Sequence, residues 1–150
     1  YYQAQGLVYT KAIQPLQTPN ITVELISANP QKHVAIFVIS SCSQKIIYAP
    51  CDVKPFPQTE KFQDADTLII GNTIVGDTLK GGFPLNKDNP LRQELFTLEE
   101  IDTIRKQYRI KEVIITHLEE DWGKSYDDYK NLEKELKHIH FAYDGQKIPL

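Results

Sequence analysis

The sequence predicts an α/β (α+β) fold, in which a mixed sheet is flanked by helices. The first half of the chain contains short runs of β-branched and aromatic residues, which favour strands. The second half contains two amphipathic runs that begin with helix-capping patterns. With 150 residues, 41% of them hydrophobic and 25% charged, the chain is long enough for one globular domain with a sizeable core.

The first half is predicted to be mostly sheet. Four runs have strand composition: residues 21–27, 34–40, 45–48 and 67–71. The second run is nearly continuously apolar around Ile36 and Val38, so we expect that strand to be covered on both faces, with helices packed on the sheet. Residues 81–90 mix Gly, Pro, Asn and Asp and predict a long loop, without any sign of a linker between domains.

The second half is predicted to alternate helices and strands. The sequence TLEE at 97–100 has the capping-box form, and apolar residues at helical spacing predict a helix over 98–109. The sequence SYDD at 125–128 opens a second helix, through about residue 136. Strands are predicted over 112–118 and 138–143, and Asp144-Gly145 predicts a closing hairpin with residues 147–150.

Composition limits the cellular environments and the classes of partner that we expect for this chain. Seventeen basic and twenty acidic residues give a net charge of −3, which disfavours nucleic acid or an anionic membrane as the main partner. No apolar run reaches the roughly 20 residues of a membrane span, so we expect a cytoplasmic protein. Cys42 and Cys51 are expected to be free thiols. Because the chain starts at Tyr1 and contains no methionine, we expect a processed product or a fragment.

Two residues at predicted strand ends could carry chemistry. Asp52 follows the strand at 45–48, where a carboxylate serves as a metal ligand, a general base or a turn residue. His117 ends the apolar strand at 112–118, where a neutral imidazole binds zinc or a similar ion, or bonds a loop carbonyl. From spacing alone, the structural alternatives are the more frequent ones.

The order of these segments resembles the second half of a metallo-β-lactamase superfamily hydrolase. In that superfamily one strand ends in the aspartate that bridges two metals, and a later Thr-His strand end supplies a last histidine; Asp52 and His117 match these positions. The Ala142 to Gly145 turn is similar to the end of the phosphonate-pathway cyclic phosphodiesterases. The resemblance covers residues 20–150, and it implies part of an αββα sandwich that forms the carboxy-terminal portion of a longer domain.

The departures from the family pattern concern the other metal ligands. The upstream His-x-His-x-Asp-His motif is not in this sequence, and the His138-Ile139-His140 run has neither its Asp nor its later His. We expect His138 and His140 to lie on a solvated strand face. A further ligand of the family would fall near Asn29, and His33 is the neighbouring histidine; both are secondary candidates for metal or substrate contact.

The resemblance implies a metal-dependent hydrolase of the phosphodiesterase type. Its cofactor would be zinc, manganese or iron, with two ions in a complete site, and its substrate a small phosphorylated molecule attacked by metal-activated water. Glu119 and Asp121 could orient His117 without contacting the metal, or belong to a solvated acidic loop. Trp122, Tyr126 and Tyr129 could line a pocket or stack on a base, although packing in the core or on the surface is the more frequent role of such residues. A half sandwich would expose an apolar sheet face, which the missing half or a second copy of the chain would cover.

Two other functions stay open beside the hydrolase. The alternative is a non-catalytic α/β binding module, and the third possibility is an RNA nuclease.

Overall fold

The computed structural model describes residues 15–29 and 34–148, and it contains one large mixed sheet. The strands are β1 (Leu16–Gln17), β2 (Ile21–Asn29), β3 (Val34–Ser41), β4 (Lys45–Ala49), β5 (Thr67–Gly71), β6 (Thr73–Ile74), β7 (Phe96–Thr97), β8 (Glu112–Thr116) and β9 (Ile139–Phe141). The large sheet has seven of them in the order β1-β2-β3-β4-β5-β8-β9, and β6 and β7 pair separately. The predicted α/β class with a mixed sheet is thereby confirmed.

Strand direction changes in the middle of the sheet. The pairs from β1 to β4 are antiparallel, and the pairs β4–β5, β5–β8 and β8–β9 are parallel. Parallel neighbours need crossover connections, which here contain the helices α1 (Leu91–Glu94), α2 (Leu98–Gln107) and α3 (Tyr126–Glu133). The four parallel strands therefore end at one edge of the sheet, and the loops that follow them share that edge.

One face of the sheet carries the hydrophobic core. Alternate residues of each central strand point to this face and pack with Ile101 and Ile104 of α2 and Tyr129 of α3. On the sheet side the core contains Ile36, Val38, Ile47, Ala49, Leu68, Ile70, Val113, Ile115, Ile139 and Phe141. This packing fixes the strand register, since a one-residue slip would move these side chains away from the helices.

The opposite face is apolar but only partly covered. Phe37 and Ile39 of β3 are half-buried, and Leu25 of β2 is 50% exposed. Phe37 stacks on Tyr48, with ring centroids 6.3 Å apart, yet Tyr48 remains exposed. The expectation that β3 is covered on both faces is therefore wrong for the described residues. Its nearly continuous apolar run reflects an apolar second face without a helix packed on it.

Both predicted capping boxes form, but the helices end earlier than expected. Thr97 and Ser125 each accept a hydrogen bond from the backbone N–H three residues on, and the side chains of Glu100 and Asp128 accept from the cap backbone. Helix α2 ends at Gln107 because Arg109 adopts a left-handed conformation, with φ 52°. After α3, residues 134–136 continue as turns with bonds to the residue three positions back.

The predicted closing hairpin is only a turn in the described residues. Gly145 has φ 81°, and the N–H of Gln146 donates to the carbonyl of Tyr143 at 3.0 Å. Residues 146–148 are not strand, because β9 is short and pairs with β8 instead. Within the described residues, no helix combines the length and apolar character that crossing a bilayer requires.

Candidate metal centre at the strand ends

Three neighbouring strand ends are followed by residues with a left-handed backbone. Asp52 comes shortly after β4, Asn72 directly after β5 and His117 directly after β8, with φ angles of 64°, 51° and 53°. A left-handed conformation costs a non-glycine residue about 1–2 kcal/mol, although Asn, Asp and His tolerate it better than most. Such residues concentrate at functional sites, where the surrounding fold holds them in place. Both residues predicted from the strand ends thus lie on one strained edge.

His117 is held through both of its ring nitrogens. Its Nδ1 lies 2.6 Å from Sγ of Cys51, and its Nε2 lies 3.0 Å from Oε1 of Glu119. The imidazole itself is 53% exposed, so the contacts orient it without burying it. A metal ion would have to replace one of these partners to bind a ring nitrogen. Glu119 was predicted to orient His117, and its position is consistent with that role.

Gly71 provides the space in which Cys51 and His117 meet. In the sheet β5 lies between β4 and β8, and Gly71 is its last residue. A Cβ atom on Gly71 would lie 3.1 Å from Cys51 Sγ and 3.6 Å from His117 Cβ. The Cys51 thiol would have to move by a few tenths of an ångström to make room for a side chain at this position. A glycine at the end of the middle strand therefore leaves the space that the contact between the thiol and the imidazole uses.

The surroundings of Cys51 keep its thiol protonated. Burial is the largest effect that raises the pKa of the Cys51 thiol, and the carboxylates of Asp52 and Glu119 raise it further, against a lowering by a backbone hydrogen bond. Nucleophilic cysteines have the opposite property, a depressed pKa in an electropositive setting. The Cys51–His117–Glu119 arrangement therefore does not have the electrostatics of an activated thiol. It suits orientation of the imidazole instead.

The other predicted site residues lie at different places in the structure or outside its described part. Asp52 is exposed on the same edge as His117. Asp121 lies on a 3-10 turn at 120–122 beside Glu120. The hydrogen bond from Lys80 to Glu120 is the main cause that raises the pKa of Lys80, and the Asp121 carboxylate adds to it. His33 and the side chain of Asn29 lie outside the described residues. Their roles as metal or substrate contacts stay predictions.

His138 and His140 lie at the opposite edge of the sheet, before and within β9. They share the carboxylate of Glu112, each with one ring nitrogen 3.0 Å from a carboxylate oxygen. Burial would raise the pKa of Glu112, but hydrogen bonds from the two imidazoles outweigh it and lower this pKa. Their side chains are 36% and 48% exposed, in line with the predicted solvated face.

Sequence reasoning missed three members of the candidate site. Cys51 was assigned only as a free thiol, which it is, and Gly71 and Asn72 were not singled out. Asn72 has a buried Oδ1 atom without a hydrogen-bond partner among the described residues, and its N–H donates to the Thr116 carbonyl at 3.2 Å. A glycine followed by asparagine at a strand end was the signal available in the sequence.

A cleft of about 600 Å³ opens beside His117. Its walls include Tyr126 and Lys130 of α3 and Tyr143 after β9, and Tyr129 lies at its buried side. The rings of Tyr126 and Tyr143 are 5.9 Å apart and nearly perpendicular, at 84°. Of the three aromatic residues that could line a pocket, Tyr126 and Tyr129 line this cleft, whereas Trp122 is buried in the core.

The described residues do not complete a metal site. No group of three or more His, Cys, Asp or Glu side chains among them is arranged to hold an ion. A catalytic zinc needs about three protein ligands plus water. Carboxylate and imidazole are donors that zinc and similar divalent ions accept, so the donor types fit the metal but their number does not.

Comparison with solved structures shows the fold. The metallo-beta-lactamase fold protein YhfI from Bacillus subtilis matches with a TM-score of 0.64 and 17% identity, over 96% of this chain and 59% of that chain. Zn(2+)-bound PqqB from Methylobacterium extorquens matches with a TM-score of 0.59 and 16% identity, over 91% and 50%. A new diphosphatase from the PhnP family matches with a TM-score of 0.59 and 15% identity, over 91% and 46%.

These likenesses confirm the predicted fold, because the chain superposes almost entirely on metallo-β-lactamase-fold proteins. The chain spans between 46% and 59% of the length of these proteins. No protein-family model and no curated protein matches the sequence.

Proposed function

We propose that this chain contributes to a metal-dependent hydrolase of the phosphodiesterase type, with Asp52 and His117 as metal ligands. The observation that carries the proposal is the meeting of Asp52 and His117 at one edge of the parallel strands, both with left-handed backbones. Ligands in α/β sheets bind outside the carboxyl ends of strands. The fold agrees with this assignment, since Zn-bound PqqB and a diphosphatase are among the similar structures.

His117 would bind the metal through Nε2, and Cys51 would keep its contact with Nδ1. Glu119 is the exposed partner on a loop, while Cys51 is partly buried against Gly71, so Glu119 is the easier of the two to displace. A partner on the second ring nitrogen orients a metal-bound imidazole and fixes its tautomer. Asp52 would contribute a carboxylate, which is able to bind one ion or to bridge two.

The bound divalent ion, zinc, manganese or iron, would activate water by lowering its pKa from about 15.7 towards about 7 and would stabilise charge on a phosphoryl group. The remaining ligands would come from outside the described residues, because those residues hold no group of three donors. This division corresponds to the carboxy-terminal part of a larger domain. The apolar face around Leu25 and Phe37 would then pack against the other part, or against a second copy.

The proposal is tested with a phosphodiester and a phosphomonoester that release the same product. Bis(p-nitrophenyl) phosphate and p-nitrophenyl phosphate are incubated with the protein and Zn²⁺ or Mn²⁺, and p-nitrophenolate is followed. We expect diester hydrolysis that falls at least about a hundredfold in Asp52→Asn and His117→Ala, because each loses a ligand of the catalytic ion. His140→Ala, at the opposite edge, is the matched control and keeps the activity.

A non-catalytic binding module is the second candidate. It is favoured by the observation that no three donors meet among the described residues. In that case the protein folds as described, takes up no metal and hydrolyses neither ester. Uptake of metal that depends on Asp52 and His117 would exclude this candidate.

A further inference from the structure

We propose that the cleft beside His117 binds a flat heteroaromatic ring of nucleobase size, carried by the phosphorylated substrate. The link between ring and phosphate rests on the proposed function. The ring site itself rests on the four side chains that form it, Tyr126, Tyr129, Lys130 and Tyr143. The occupant is a small molecule rather than a nucleic acid strand, because the cleft has a volume of about 600 Å³ and the chain has a net charge of −3.

Two tyrosines provide the aromatic surface. Tyr126 is 56% exposed and Tyr143 47% exposed, although tyrosine rings in small domains are usually packed more fully. Their nearly perpendicular arrangement, at 84°, is a stable edge-to-face pair that leaves ring surface open to the cleft. A flat ring can stack on such a surface whatever its hydrogen-bonding pattern, because every heteroaromatic base has a π-face.

Lys130 holds the two tyrosines in place. Its Nζ lies 5.6 Å from the Tyr126 ring centroid and 5.5 Å from the Tyr143 ring centroid, within the range of cation–π attraction. The same Nζ lies 2.7 Å from a carboxylate oxygen of Glu133, which offsets its charge. The aromatic wall is thus organised before a ligand arrives, and this organisation reduces the entropy lost on binding.

Tyr129 forms the buried side of the cleft. It is only 7% exposed, and its ring packs on Phe141 with the ring centroids 4.8 Å apart. Its hydroxyl is buried and has no hydrogen-bond partner among the described residues, so it is not open to a ligand in the cleft. Tyr129 and Phe141 therefore provide an apolar wall against which a flat ring can pack.

The size and position of the cleft fit a ring joined to a phosphate. Its volume of about 600 Å³ lies within the range of small-molecule pockets, roughly 300–1,000 Å³. Thr116 and His117 form the wall nearest to the strand ends. A ligand whose ring contacts Tyr126 and Tyr143 would therefore direct its other end towards His117. This orientation selects substrates in which an aromatic ring and a phosphate are a few bonds apart.

The ring site is tested without metal. Adenosine, guanosine, cytidine and uridine are titrated into the full chain with EDTA present, and binding is followed by calorimetry. We expect at least one nucleoside to bind, with affinity that falls about tenfold in Tyr126→Leu and in Tyr143→Leu. Tyr126→Phe and Tyr143→Phe keep the ring and retain binding.

A ligand without the ring is the matched control. Ribose 5-phosphate binding, measured with metal present, should be the same in Tyr126→Leu as in the unaltered protein. The proposal is overturned if none of the four nucleosides binds, or if both leucine variants bind them unchanged. Diester hydrolysis without nucleoside binding would leave the proposed function and remove the ring site. Nucleoside binding without hydrolysis would support the ring site and contradict the proposed function.

Discussion

His117 Nδ1 lies 2.6 Å from Cys51 Sγ, although the two residues follow strands that are not neighbours. Adjacent strands are about 4.8 Å apart, so the loops after β4 and β8 start roughly 10 Å from each other. The contact crosses the end of β5, where Gly71 has no side chain. The candidate metal centre is therefore organised by a glycine as much as by its polar residues.

Gly71→Val should destabilise the protein by about 1–3 kcal/mol, because a side chain there meets Cys51 Sγ and N at 3.1 Å and 3.4 Å and overpacks the strand end. Urea unfolding measures the change in the free energy of unfolding. Gly76→Ala is the control: a Cβ at Gly76 meets nothing within 4 Å, so its effect should stay within about 0.5 kcal/mol. Equal effects of the two substitutions would show that Gly71 has no special packing role.

Cys51→Ala should weaken zinc binding by about 10–100-fold, because it removes the partner that orients His117 through Nδ1. Competition with a chromogenic chelator gives the affinity. Cys42→Ala removes the exposed thiol and should leave the affinity unchanged. If zinc affinity is unaffected in Cys51→Ala, the contact between Cys51 and His117 has no part in metal binding.

Asp66 should make stability depend on pH. The ammonium of Lys111, followed by the N–H of Lys45, lowers the pKa of Asp66, and these bonds are 2.7 Å and 2.8 Å long. A lowered folded-state pKa means that the unfolded chain binds the proton more readily. The contribution is therefore complete above the unfolded-state pKa of about 3.9 and disappears as the pH falls through the folded-state value.

Asp66→Asn should accordingly cost about 1 kcal/mol at pH 7, and this cost should shrink as the pH falls below about 4. Urea unfolding of both proteins across this pH range gives the two curves, which should converge at low pH. Asp88→Asn, on an exposed loop, is the control and should change neither curve. A gap between the Asp66→Asn curve and the curve of the unaltered protein that does not narrow as the pH falls below about 4 would contradict the electrostatic account.

The apolar sheet face around Leu25 and Phe37 should promote association when the chain is studied alone. Leu25→Glu places a charge on this 50% exposed position, so sedimentation velocity should show a shift towards monomer. Ser43→Glu adds the same charge on an exposed turn and should leave the distribution unchanged. If the unaltered chain is monomeric at all concentrations, this face does not mediate self-association.

The sequence predicted those parts of the fold that local patterns determine. Strand β5 has the predicted bounds, and both capping boxes form, because these features depend on residues a few positions apart. The short elements α1, β1, β6 and β7 were missed, since two to four residues carry no periodicity. Helix α2 ended early because Arg109 has a left-handed backbone, a conformation that the helical spacing of apolar residues does not indicate.

In the candidate site, too, the residues that a local pattern marks were predicted and the others were missed. Asp52 and His117 were found because each stands at a recognisable strand end. Cys51 and Gly71 were missed because their roles depend on β5 lying between β4 and β8 in the sheet, and strand order is a property of the whole fold. The apolar run of β3 was misread because composition does not show whether an apolar face is covered.

The metal content of purified protein and its variants tests the central claim most directly. Plasma mass spectrometry is applied to the complete protein, in which the proposed function places the remaining ligands, with the unaltered sequence and as Asp52→Ala, His117→Ala and the His140→Ala control. We predict zinc, manganese or iron in the unaltered protein and in His140→Ala, and its loss from both other variants. Metal retained in Asp52→Ala and His117→Ala, or absent from the unaltered protein, would contradict the assignment of these residues as ligands.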